Sequence, residues 1–122
     1  MRIRRVVFSL VLVASSALIA ACGGGTEGGE DLPACPSGGT ALTYDNFGKD
    51  FFGNYCTSCH AAGTNVNEAQ DMPFETQADI QARIDDIYEQ AGGTNTSMPT
   101  SGSKPTAAER LQLEEWLSCG AE

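Results

Sequence analysis

The chain carries a single histidine, His60, among its 122 residues, and that scarcity limits its chemistry more than any other feature of the composition. One imidazole cannot be both a metal ligand and the base of a nucleophilic pair, and no second one is present to complete a bis-imidazole metal site. Basic residues are also scarce: seven lysines and arginines stand against sixteen acids, a formal net charge of −9. Such a surface argues against nucleic acid and against direct adhesion to an anionic bilayer. Alternating apolar and polar runs of useful length are missing, which leaves nothing to build a sheet from. Long apolar runs are nearly missing too. The one that exists, Val6 to Ala20, is short of the ~20 residues a comfortable membrane span needs.

That run has another reading. Arg2, Arg4 and Arg5 precede it and Leu18-Ile19-Ala20-Ala21-Cys22 closes it, the order of a secretory signal over residues 1–21. Its last residues resemble the lipobox of bacterial lipoproteins, which implies that Cys22 is diacylated and becomes the mature N-terminus. An ordinary cleaved signal would instead leave Cys22 as a free thiol. Either route exports the chain to a compartment where disulfides persist. Roughly one hundred residues then remain, enough for one small domain and a tether. Only Lys49, Arg83, Lys104 and Arg110 are left to oppose the sixteen acids, a net charge of about −12.

Residues 22–39 read as the tether, because Gly23 to Pro33 is rich in glycine and acid and nearly free of apolar side chains. Residues 40–122 read as the domain, with three helical segments. The first is expected from Tyr44 to His60, with Thr43 as N-cap and Phe47, Phe51 and Tyr55 on one stripe. The second is expected from Gln77 to Ala91 behind Thr76, with Ile80, Ile84, Ile87 and Tyr88 on one face and Gly92-Gly93 as the stop. The third starts at Thr106, where Pro105 precedes and Glu109 completes a capping box, and Leu111, Leu113, Trp116 and Leu117 form its apolar face. These side chains are few for the length, so a core of protein alone would be marginal.

Within the first segment stands Cys56-Thr57-Ser58-Cys59-His60, the spacing of a c-type haem attachment site. Two thiols one helical turn apart can each join a vinyl group on a porphyrin edge, and the adjacent imidazole then lies under the iron. Two rivals are weaker. A thioredoxin-like C-x-x-C should follow a strand, and none is legible before Cys56. A structural zinc site needs four ligands, so a distant cysteine or a carboxylate would have to join these three.

From these residues the chain resembles the class I c-type cytochromes, small single-haem electron carriers. The resemblance covers roughly the last two thirds of the sequence and implies an all-α domain of three main helices packed around one covalent haem c. Cys56 and Cys59 would bind the cofactor and His60 would be the proximal iron ligand. The resemblance implies a distal methionine, Met98, in the loop that leads to the C-terminal helix and stiffened by Pro99. Met72 is the alternative, although its place suggests the loop whose backbone carbonyl accepts a hydrogen bond from the proximal imidazole, with Pro73 beside it. Gly48 followed by Phe52 resembles the family's N-terminal helix, where the glycine lets the C-terminal helix come close, and Trp116 would sit at that crossing. Thr94, Asn95, Thr96 and Ser101 are candidate donors to the haem propionates. The loop 61–74 departs from the family by lacking its glycine-proline-leucine run.

With Cys22 given to lipid and Cys56 and Cys59 to haem, Cys35 and Cys119 remain as a pair that an exported protein can bridge. Free thiols or an intermolecular bond stay open, since sequence does not settle connectivity. The expected protein is a monomeric electron carrier without a catalytic site of its own, periplasmic, and held to a bacterial membrane by its lipid alone. Its redox partners would carry basic docking patches. The alternatives are the haem subunit of a periplasmic oxidoreductase complex, or a haem-free, disulfide-stapled binding module.

Overall fold

The structure is a computed structural model that describes residues 31–122. The expected signal over 1–21, the anchor Cys22 and the first part of the tether lie outside the described residues. Every regular element among those described is helical.

The first helix begins as a π-helical turn, Tyr44–Gly48, and continues as α1, Lys49–Tyr55. Thr43 caps it reciprocally with Asn46: the Thr43 hydroxyl accepts from the Asn46 amide and the Asn46 side chain accepts from the Thr43 amide, at 3.2 and 2.8 Å. The helix stops at Tyr55, short of the expected His60. The amides of Cys56 and Thr57 both donate to the Phe52 carbonyl, at 2.9 and 3.0 Å, and two donors on one acceptor close the ladder. A separate turn then carries the motif, with the amides of Cys59 and His60 both donating to the Cys56 carbonyl.

A short 3-10 turn, Asn67–Asp71, precedes two helices where one was expected: α2, Gln77–Gln81, and α3, Ile84–Ala91. Arg83, between them, leaves helical geometry at φ −140° and ψ 32°. The two pieces answer to different partners. Gln77 and Gln81 donate their side-chain amides to the carbonyls of Ala121 and Gly120, which ties α2 to the end of the chain. α3 packs instead along the C-terminal helix α4, Ala107–Ser118. Tertiary hydrogen bonds thus override a sequence stretch that contains no helix breaker.

α4 starts at the expected Thr106, capped by Glu109. Its buried stripe is Arg110, Leu113, Trp116 and Leu117. Leu111, expected on that face, is 55% exposed, because the three- and four-residue steps back from Leu113 and Leu117 land on position 110. The core gathers Trp116, Phe52, Ile80, Leu113 and Leu117, all at 2% exposure or less. Gly48 lies against the Trp116 ring: a Cβ built there would stand 2.7 Å from Cζ2 and nearer still to Cη2. Phe47 meets the same ring edge-on at 5.9 Å, and Phe52 lies 6.4 Å from it. Cys35 is joined to Cys119 with their Cα atoms 4.7 Å apart, and Leu32 packs against the core, so the last residues of the expected tether are held to the body.

Gly48→Ala should cost about 2 kcal/mol, since a fully buried indole has nowhere to move, and thermal melting followed by circular dichroism would read it. Replacing Cys35 and Cys119 together by serine opens a loop with a sequence separation of 84. The chain-entropy cost is on the order of 4 kcal/mol, to be measured as a lower urea midpoint.

Candidate functional site

α1 turns its aromatic stripe inward, and beyond Tyr55 the chain bends so that Cys56, Cys59 and His60 border the same hollow as α3 and the loop 92–105. The hollow is a cavity of about 460 Å³. Phe51, Phe52 and Tyr55 line it from α1, and Ile87 and Ala91 from α3. Cys56, Cys59 and His60 all reach its wall, as do both candidate methionines, Met72 and Met98.

His60 is held from two sides. Its Nδ1 lies 3.0 Å from the Met72 carbonyl oxygen, and a carbonyl can only accept, so Nδ1 carries a proton and, in the neutral ring, the free lone pair is on Nε2. Its ring stacks on Phe74 with centroids 4.7 Å apart and planes 30° from parallel. The Phe74 amide returns a hydrogen bond to the His60 carbonyl at 2.9 Å, so residues 60 and 72–74 clamp each other. An imidazole in this tautomer, its orientation fixed, is a ready metal donor.

The two thiols are free, and burial pushes Cys56 up to about 12, only partly opposed by the positive charge of Arg110. A redox dithiol needs the opposite, a thiol whose pKa is lowered so that thiolate forms near neutrality. Among the described residues no group of three or more histidines, cysteines, aspartates and glutamates is arranged to hold a bare metal ion. The donors that do converge are two thiols, one imidazole and thioethers on a mostly apolar wall. That set, in a hollow within the ~300–1,000 Å³ range of small-molecule sites, fits a large flat apolar group carrying a central metal.

The loop 92–105 is fastened at several points. Gly92 and Gly93 end α3. A side chain on Gly93, at φ +58°, would run into the Glu114 carboxylate. The Met98 amide donates to the Gln90 carbonyl at 2.9 Å, and Lys104 bonds the Pro99 carbonyl. Of the residues proposed as polar donors toward a ligand, Ser101 lines the cavity, whereas Thr94, Asn95 and Thr96 do not, and the Asn95 amide is taken by the Tyr88 carbonyl. Two contributors were not foreseen. Phe74 gave no signal beyond being one aromatic in a loop. Arg110 was readable in principle, standing three residues before Leu113 on the buried stripe, but arginine is seldom placed inside.

Comparison with known protein families, curated proteins and solved structures finds no match to this chain.

Tyr55, on the cavity wall, donates its hydroxyl to Glu109 at 2.9 Å and so joins α1 to the cap of α4. Hydrogen bonds from the Thr106 amide and hydroxyl, and then from Tyr55, hold the Glu109 carboxyl below its usual range, while the bond to Glu109 raises Tyr55. A lowered carboxyl contributes stability above its unfolded value of about 4.3, lost as pH falls through the folded one. A raised phenol contributes below about 10, lost as pH rises. Glu109→Gln should therefore flatten the fall in urea stability below about pH 4.3 and lower the plateau at neutral pH.

Proposed function

We propose that this chain is a single-electron carrier holding one c-type haem, joined by thioether bonds at Cys56 and Cys59, with His60 and Met98 as axial ligands. The observation that carries the reading is His60: its Nδ1 proton is committed to the Met72 carbonyl, and the ring stands on the wall of an apolar cavity beside two free thiols. When bound, such a group supplies an iron that changes by one electron, and imidazole with thioether leaves no open position for oxygen chemistry.

The chain's own residues have distinct tasks. The Met72 carbonyl makes the imidazole a stronger donor and sets its plane. Phe74 holds that ring by stacking, and Phe51, Phe52 and Ile87 give the cavity an apolar wall. Met98 is favoured over Met72 as the distal ligand for a geometric reason. Met72 already meets the imidazole through its own carbonyl at Nδ1, on the proximal side of the site. Met98 comes from a separate loop that is fixed by its own hydrogen bonds. Asp86 and Glu89 stand on the cavity wall and add to the acidic surface, which suits redox partners with basic patches and encounter rates that fall as salt rises. Export and a lipid anchor at Cys22 belong to the same reading, in which the carrier works on the outer side of a bacterial membrane.

Protein from a host that matures c-type cytochromes should retain one haem in its intact mass after denaturation and organic extraction, and an unmodified mass refutes the reading. Met98→Ala should abolish the methionine-to-ferric-iron charge-transfer band and lower the reduction potential. Met72→Ala should keep the band and cost only packing, about 2 kcal/mol.

A further inference from the structure

Arg110 is the one buried charged residue among the described residues, 4% exposed and without a carboxylate partner there in hydrogen-bond or ion-pair contact. A guanidinium withdrawn from water needs compensation, and here it comes from backbone. One Nη1 donates to the carbonyls of Ala91 and Asn95, both at 2.8 Å, and Nη2 donates to the carbonyl of Met98 at 3.0 Å. The Arg110 carbonyl in turn accepts from the Gly93 amide at 3.0 Å. Four hydrogen bonds from one residue of α4 therefore span the chain from the end of α3 to Met98. The planar fork suits this arrangement, because its donors diverge in fixed directions that a lysine ammonium cannot reproduce.

The geometry points to Arg110 as the positioning residue for the methionine ligand: a latch that fastens the loop 92–105 to α4 and holds Met98 at the cavity, an inference that rests on the proposed haem ligation. The bond between a thioether and iron is weak and competes with any small ligand that can enter. Whatever stabilises the loop in its docked form therefore enters the apparent affinity for an external ligand directly. Losing the latch raises the population in which Met98 has swung away, and an outside donor binds more tightly by the same factor. Arg110 does not itself line the cavity: apart from its charge, which reaches Cys56, it acts on the wall through the carbonyls of Ala91 and Met98.

The test uses the full holoprotein and imidazole as the competing ligand. Arg110→Lys keeps the positive charge and the backbone bond to Gly93 but cannot span three carbonyls. It should tighten imidazole binding roughly tenfold or more, the equivalent of one charge-assisted hydrogen bond, and bleach the charge-transfer band at a lower temperature. In a Met98→Ala background there is no ligand left to hold, and the same change should leave imidazole affinity within about twofold. Equal tightening in both backgrounds would mean a general loosening of the fold and overturn the latch. So would unchanged affinity with a shifted potential, which would mark a field effect alone. Amide exchange on the unaltered holoprotein covers the case in which the variant does not fold. Gly93, Asn95 and Met98 should exchange together and as slowly as the core of α4, and fast exchange at all three refutes the latch. A protein that carries no haem removes the ligation reading and the latch together, whereas a haem-bearing protein indifferent to Arg110→Lys removes the latch alone.

Discussion

Everything in this small body is hung on the contact between Gly48 and the ring of Trp116. The two helices that form the ends of the domain can approach only because one of them offers bare backbone where the other offers its largest side chain. With the indole fixed there, Phe47 and Phe52 find their places around it and Phe51 follows, which turns the aromatic stripe of α1 toward the cavity. The same ring donates its N–H to the Glu122 carbonyl at 3.0 Å, and Glu122 also receives the Tyr44 amide, so the last residues are folded back over the crossing. Cys35–Cys119 fastens a further strand of chain at that end. The scaffold is thus concentrated on one side of the molecule, which frees the other side to be hollow.

The hollow side combines the packed faces of α1 and α3 with loops held by hydrogen bonds. Two of those loops are pinned through backbone carbonyls: Met72 by His60 and Met98 by Arg110. Carbonyls are acceptors every residue supplies, so these pins impose little on side-chain identity along the loops. They do impose it on the donors. Histidine and arginine at those two positions are what the arrangement depends on.

How much of this was legible beforehand differs by the kind of signal. Helix starts read well: Thr43, Thr76 and Thr106 all act as caps, because a capping box is a local interaction between residues three apart. The close approach at Gly48 followed from the family resemblance rather than from spacing, since a glycine four residues before an aromatic does not by itself name Trp116 as the neighbour. The end of α1 at Tyr55 and the break at Arg83 were not legible, as both result from bonds made to distant or shared carbonyls that leave no mark in the local sequence. Leu111 and Arg110 exchanged their expected places for a different reason: hydrophobicity was read in preference to phase, and an arginine three residues before Leu113 was passed over for the leucine beside it. Of the site, the motif residues and both methionines could be named and do share one cavity. The order imposed on the loop 92–105 could not be, because it comes from a side chain on another helix.

The mutual clamp between His60 and the segment 72–74 closes a circuit. The ring's proton goes to one backbone oxygen, and the backbone oxygen of the same histidine receives an amide from two residues further on. Between them the chain from Ala61 to Asp71 forms a loop that the clamp closes, and it lends Val66 and Ala69 to the cavity wall and the Thr64 hydroxyl to the Cys59 carbonyl. The clamp fixes the imidazole's plane at the two ends of this loop, so the exposed turns between can change without moving the donor, whereas positions 64, 66 and 69 stay tied to the motif and to the shape of the cavity.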